Sequence, residues 1–444
     1  MQSDYLIQKK PMFALLVFSF PIIIGNLFQQ IYTMADSAIA GRFISEQALA
    51  AIGASYSLTN IFICVAIGGG IGASVLVSQF FGAKEYKKMK ISIYTAFISF
   101  LIISVILSGI GIFFSRKIMI LLNTPSDCLD LAIIYLKIYF LALPFLFMYN
   151  VLAAMYNALG KSQITLYFLI FSSVCNIILD LVFVIQFDMG VAGLAWATLL
   201  AQGISAVLSF FMFIRIINNI YHDHTQFFSN KLLKSMSKIA LPSIFQQSTV
   251  AVGMMLVQSV VNSFGSQTLA GFSAAMRIES ICVVPMMGIG NAVSSYTAQN
   301  IGANKQERVI EGYHAANKIV FICSVIIFLI LEIFNRPIIS LFIGVDGTSL
   351  ASSTGQNYLR FMGWFFVLIG LKMTVDGLLR GAGDMKVFTI ANLVNLLIRI
   401  AFAVILAPRY GISMVWIAVP IGWFANWIIS FSQYSTGKWK RINI

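Results

Sequence analysis

Charge is scarce in this sequence: Asp, Glu, Lys and Arg make up only 10% of 444 residues. Soluble domains carry about a quarter, so a cytosolic enzyme is not expected. Cysteine is equally sparse. Cys64, Cys128, Cys175, Cys282 and Cys323 are scattered through apolar runs without CxxC spacing, which excludes a zinc site or a disulfide framework. There are three histidines. His222 and His224 flank Asp223 in a polar stretch and read as a solvated loop, not as a metal site. No nucleotide-binding motif occurs. Gly68-Gly69-Gly70, Gly72, Gly288 and Gly290 lie too deep in apolar runs for phosphate-loop chemistry and read as close helix contacts or flexible points. ATP therefore does not drive this protein, and no cofactor is expected.

What is abundant is apolar: 59% of residues are hydrophobic, with 38 Phe and 19 Met. A bilayer core of ~30 Å needs about 20 apolar residues per helix. Reading for such runs gives twelve spans, at about 11–40, 47–80, 91–114, 131–157, 162–186, 190–217, 231–262, 269–300, 309–334, 352–379, 386–407 and 410–433. The expected fold class is an all-α polytopic membrane protein. The opening MQSDYLIQKK runs into a long apolar stretch without a small-residue cleavage site, so no removable signal peptide is expected. An even number of spans puts both termini on one side. Sorting lysine and arginine by side places eighteen with the termini, among them Lys9, Lys10, Lys84–Lys90, Lys234 and Lys440. Only Arg42, Arg116, Lys117, Arg336 and Arg409 fall opposite. That bias makes both termini cytoplasmic and accounts for the net charge of +13 without nucleic acid as a partner.

The halves repeat. Phe28-Gln29-Gln30 recurs as Phe245-Gln246-Gln247, Leu49-Ala50 as Leu269-Ala270, and Gln79 with Gly82-Ala83 as Gln299 with Gly302-Ala303. Tyr135 and Gly160 recur as Tyr358 and Gly383, the offset drifting only from 217 to 223. Two six-helix repeats of equal orientation are related by an axis along the membrane normal, with a cavity between them near the midplane, as in transporters. The polar stretch 217–230 is the natural linker between an N-lobe of 1–220 and a C-lobe of 221–444.

Ionisable residues within spans are costly and read as functional. Asp36 sits ~9 Å below the outer end of span 1, and Asp180 ~12 Å below that of span 5. Asn176 is one turn below Asp180 on the same face, and Thr198 enters span 6 to a similar depth. Such oxygen-rich groups suit a small hard cation, or a proton held between carboxylates. At the repeat offsets their counterparts are Leu256, Arg399, Ala403 and Ala418 or Val419, so the set exists in one lobe only. The opposing reading makes both aspartates packing residues satisfied by hydrogen bonds. Pro21, in the middle of span 1, removes a backbone hydrogen bond and permits a hinge. Tyr32 and Gln29 lie below Asp36, Ser172 and Ser173 below Asn176, and Asn150 near the middle of span 4. With the abundant Phe and Met these are expected to line a substrate cavity. Lys372, Asp376 and Arg380 follow at i, i+4 and i+8 on span 10 and read as structural pairing. Glu279 and Arg277 share no face, and each needs a partner elsewhere.

Twelve spans in two repeats, "MADSAIAGR" (34–42), "NIILD" (176–180), "GLAWAT" (193–198) and the span ends "SQFFGA" and "AQNIGA" resemble the multidrug and toxic compound extrusion (MATE) family along essentially the whole chain. The match resembles most its DinF-like bacterial and archaeal branch. The resemblance implies an antiporter that exports amphipathic organic cations across a prokaryotic plasma membrane in exchange for H+ or Na+. It implies that the coupling ion is held at Asp36, Asn176, Asp180 and Thr198, with a bend at Pro21, and a monomer is expected. The sequence departs from another branch of the family, whose C-lobe carries an acidic cation site: span 7 here contains no acid. Two other functions are weighed. A flippase for lipid-linked saccharides would favour a strongly cationic cavity. A non-transporting receptor or channel would not need the doubled six-span plan.

Overall fold

The computed structural model describes residues 4–122, 124–343 and 348–441. Among these residues there are no strands; twelve long helical segments follow one another, because lipid leaves the backbone no hydrogen-bond partner outside its own helix. They are α1 Pro11–Phe43, α2 Glu46–Gly82, α3 Tyr86–Leu121, α4 Leu129–Ala158, α5 Ser162–Gln186, α6 Gly190–Ile220, α7 Asn230–Asn262, α8 Ser266–Gly302, α9 Gln306–Ile343, α10 Ser349–Ala382, α11 Met385–Tyr410 and α12 Ser413–Ser435. Ten are apolar enough to cross a bilayer singly; α10, bent by 53° between Gly363 and Phe366, makes an eleventh. The remaining one, α7, opens on Lys231, Lys234 and Lys238, yet its 33 residues extend about 50 Å.

The repeat is written into the backbone. Left-handed residues recur at matching places: Lys84 with Asn304, Gly160 with Gly383, and Gly190 with Gly411. A π-helical turn recurs as well, Val182–Gln186 in α5 and Phe402–Leu406 in α11. The exposed apolar faces of α3 and α9 also match: Leu101, Ile102, Val105, Ile106 and Ile110 answer to Phe321, Ile322, Val325, Ile326 and Ile330. These are lipid-facing surfaces.

By internal packing the chain forms two units, Ile24–Ile244 and Met1–Ile23 with Phe245–Ile444. The first holds most of α1, all of α2–α6 and the opening of α7. Within it α2 lies directly on α7: a Cβ at Gly72 would stand 2.3 Å from the Ala240 Cα, and one at Gly68 2.7 Å from the Ile244 Cα. The chain after α6 docks on α3, where Lys90 Nζ donates to the carbonyls of Tyr221 (3.1 Å) and Asp223 (3.3 Å). His222 and His224 are exposed there, and no cluster of metal-ligating side chains occurs among the described residues.

The second unit contains the start of α1. The short helix Tyr5–Gln8 buries Leu6 completely. Its carbonyls accept from Asn300 Nδ2 (3.1 Å, Leu6) and Lys305 Nζ (3.3 Å, Ile7), and the carbonyl of Lys9 just beyond it accepts from Arg308 Nη2 (2.6 Å). Gly288 of α8 receives Ile23 of α1, the repeat counterpart of Gly68 receiving Ile244. Elsewhere α8 and α10 touch backbone to backbone: a Cβ at Gly377 would stand 2.3 Å from Gly290 O, and one at Gly381 2.3 Å from Ser294 O. Small residues one turn apart permit the close approach that drives association in lipid. Replacing Gly377 or Gly381 by Leu is therefore expected to destabilise this unit, toward the upper end of the roughly 1–3 kcal/mol usual for overpacking. Thermal unfolding of purified protein in detergent measures the loss; an unchanged midpoint for both variants contradicts the contact.

Candidate functional site

Within the unit Ile24–Ile244 three helices deliver polar side chains to one place. Helix α1 presents Tyr32 and Asp36, α5 presents Asn176 and Asp180, each pair one turn apart and so on one face, and α6 presents Thr198. Asp180 is 0% exposed and Asn176 2%, while Asp36 is half-buried. The Asn176 amide is assigned from its neighbours. With its nitrogen toward the acids, Nδ2 donates to Asp36 Oδ1 and to Asp180 Oδ2, each at 3.1 Å, and Oδ1 accepts from the Thr198 backbone N–H at 3.1 Å. The reverse orientation would set an amide oxygen against two carboxylates. The carboxyls of Asp36 and Asp180 are within hydrogen-bonding reach of each other, and the Tyr32 hydroxyl reaches both Asp36 and Thr198. Thr198 Oγ1 itself donates to the Leu194 carbonyl at 3.0 Å. Asp180 Oδ1 is buried, and among the described residues no donor is hydrogen-bonded to it. The π-helical turn Val182–Gln186 begins two residues after Asp180; such bulges are frequent at functional sites.

The structure thus brings Asp36, Asn176, Asp180 and Thr198 together and adds Tyr32, which sequence reasoning had assigned to the cavity wall. It also adds Tyr135 of α4, half-buried and facing both aspartates. The signal available beforehand was that Tyr135 is a repeated residue. The other expected cavity residues are not part of this cluster. Gln29 is exposed, Ser172 and Ser173 are buried at 7% and 6%, and Asn150 donates from Nδ2 to the Leu146 carbonyl at 2.8 Å. Pro21 is buried inside α1, in the second unit, two residues before the chain passes from that unit to the first.

The second unit has its own buried polar groups. Lys372 Nζ pairs with Asp376 Oδ2 at 3.1 Å, both side chains 4% exposed. Asn392 and Ser430 hold the pair by hydrogen bonds (Lys372 Nζ to Asn392 Oδ1 3.0 Å, Ser430 Oγ to Asp376 Oδ1 2.8 Å). Arg380 is directed instead to Ser294 and Asn291 of α8. A pair so completely neutralised is a structural feature.

Long apolar helices in two repeats, one of which gathers two carboxyls among neutral partners, define a membrane transport protein rather than an enzyme. The MatE family model matches residues 21–182 and 242–405, one match per repeat, and the chain belongs to that family of multidrug efflux transporters. It is 30% identical to "Probable multidrug resistance protein YpnP" of Bacillus subtilis (strain 168), over 97% of this chain and 96% of that protein. It is 24% identical to "Multidrug export protein MepA" of Staphylococcus aureus (strain MRSA252), over 93% and 91%. Among solved structures, a crystal structure of MATE in complex with MaL6 superposes with a TM-score of 0.92 at 23% identity, covering 100% of both chains.

Asn176 is the donor common to both acids, so replacing it by Leu leaves two buried carboxyls dependent on protons alone. Protonated carboxyls can donate to each other; ionised ones cannot. The Asn176→Leu variant is therefore expected to lose little stability at acid pH and about 1–3 kcal/mol at alkaline pH, the cost of an unmet buried acceptor. Melting midpoints of wild type and variant across the pH range measure this; a loss independent of pH speaks against the bridging role.

Proposed function

We propose that the protein is a proton-coupled antiporter of the plasma membrane that exports amphipathic organic cations. The observation that carries this reading is the Asp36–Asp180 pair, two carboxyls within hydrogen-bonding reach of one another and bridged by one amide nitrogen. Two like charges cannot face each other in a dry site; a proton shared between them resolves the conflict. Sodium is the alternative ion, since carboxyl, amide and hydroxyl oxygens also suit a hard cation. Relatives named for multidrug resistance and multidrug export support drug-like small molecules as cargo, and amphipathic organic cations are the class proposed. Apolar and aromatic walls suit such cations, and Gln29, Asn150, Ser172 and Ser173 are proposed as their polar contacts.

The excess of Lys and Arg on the terminal side supports cytoplasmic termini, with the acids toward the outer face. A proton entering from outside neutralises the pair. To drive export it must bind the outward- and inward-open states with different affinity. The repeats 1–220 and 221–444 are the proposed moving parts, and Pro21 the proposed hinge: proline leaves the Val17 carbonyl without its helical donor, near where α1 changes unit.

Asp36→Asn and Asp180→Asn are each expected to abolish gradient-driven export with the protein still folded and inserted. The measurement is efflux of a fluorescent organic cation from reconstituted liposomes, with pH and sodium gradients imposed separately. Normal efflux by either variant sinks the assignment, and efflux driven by sodium alone replaces the proton. Pro21→Ala restores the Val17 hydrogen bond and is expected to slow turnover with an unchanged or higher melting midpoint. Full turnover contradicts the hinge.

A further inference from the structure

We infer that the second unit holds a separate protonation site, the Glu279 carboxyl, which Arg399 keeps closed to metal cations. The comparison with the first unit rests on reading Asp36 and Asp180 as the coupling site; the local geometry does not. Glu279 lies on α8 and is 7% exposed. The Tyr358 hydroxyl of α10 donates to its Oε2. Tyr358 is completely buried and held edge-on by Phe272 (5.5 Å) and Trp416 (5.7 Å), with the Met276 sulfur 3.2 Å from its hydroxyl. The ionisable groups facing Glu279 are Cys282 on its own helix, Tyr358 on α10 and Arg399 on α11. Arg399 is near enough to act on the carboxyl through its charge but forms no ion pair with it, the ion pairs among the described residues lying elsewhere. Among the described residues, Glu279 is thus a buried acid with one neutral donor and no counter-ion in contact. An unpaired buried charge is costly, and a proton removes that cost where the group stands.

The repeat says which ions are shut out. Tyr358 answers to Tyr135, which faces Asp36 and Asp180, and Arg399 answers to Asn176, which donates to both. The second unit keeps the tyrosine. It supplies its acid from α8, with Leu256 and Ala403 standing where the first unit has its two aspartates, and it exchanges the amide for a guanidinium. A metal ion needs a shell of oxygen ligands and would meet a permanent positive charge there. A proton bonds to one carboxyl oxygen and needs no shell.

The test uses infrared spectroscopy of the purified full chain, which reads protonated carboxyls directly and requires no transport. In an Asp36→Asn/Asp180→Asn background a carboxyl band is expected that titrates with pH, is unmoved by sodium, and disappears on adding Glu279→Gln. Where Glu279→Gln does not fold, Glu279→Asp should shift the same band. Arg399→Gln is expected to make the band sodium-sensitive, while Arg399→Lys leaves it insensitive. No titrating band attributable to Glu279 overturns the site. A band that sodium shifts with Arg399 in place, or that stays insensitive in Arg399→Gln, overturns the role of Arg399. Failure of the coupling assignment appears separately, as normal efflux by Asp36→Asn or Asp180→Asn.

Discussion

Two carboxyls enclosed together have to be reconciled, and most of the first unit is arranged around that demand. Asp180 has no exposure at all and Asp36 is half-buried. The Asn176 amide satisfies one oxygen of each, and its own oxygen accepts from the Thr198 N–H within α6. Tyr32 and Tyr135 close the remaining sides. Every one of these partners is neutral. Among the described residues no guanidinium or ammonium group pairs with these acids, as Lys372 does with Asp376 in the other unit. On the proposed reading, a neutral shell around an acidic pair leaves the charge balance to an exchangeable ion.

Membrane helices pack without a hydrophobic driving force between them, so close backbone contact takes its place. Gly68 and Gly72 against α7, and Gly377 and Gly381 against α8, bring helix axes near enough that any side chain would collide. Rigid contacts of this kind hold each unit as a body. The segments that join the bodies are the first helices of the repeats. The units change at 23/24 in α1 and at 244/245 in α7, close after Pro21 and Pro242. The opening of α1 is in turn fastened to α8 and α9 through the Tyr5–Gln8 helix.

Much of this was legible beforehand, and for identifiable reasons. The apolar runs marked the helices because lipid admits little else, and glycines and polar pairs marked their ends. Asp36, Asn176, Asp180 and Thr198 stood out because carboxyl, amide and hydroxyl groups at one depth are rare. What escaped was whatever depended on a side chain's direction. Tyr32 sits among the acids, though spacing on α1 alone also allowed it to face a cavity. Tyr135 looked like any membrane tyrosine. Glu279 had no evident partner, since Tyr358 and Arg399 lie 79 and 120 positions further along the chain. The 53° bend in α10 falls beside a glycine, with no proline to announce it.

The amino-acid order alone determined that the chain crosses a bilayer many times, that it does so as two like-oriented repeats, and that acids are buried in the first. Hydrophobicity, charge asymmetry and periodicity are local properties summed along a chain, so they can be read from it directly. Only the tertiary structure decided that two aspartates 144 positions apart share one amide donor, and that the second repeat answers with a glutamate and an arginine. Those outcomes depend on which helix faces meet, and that is set by close packing between segments remote in sequence.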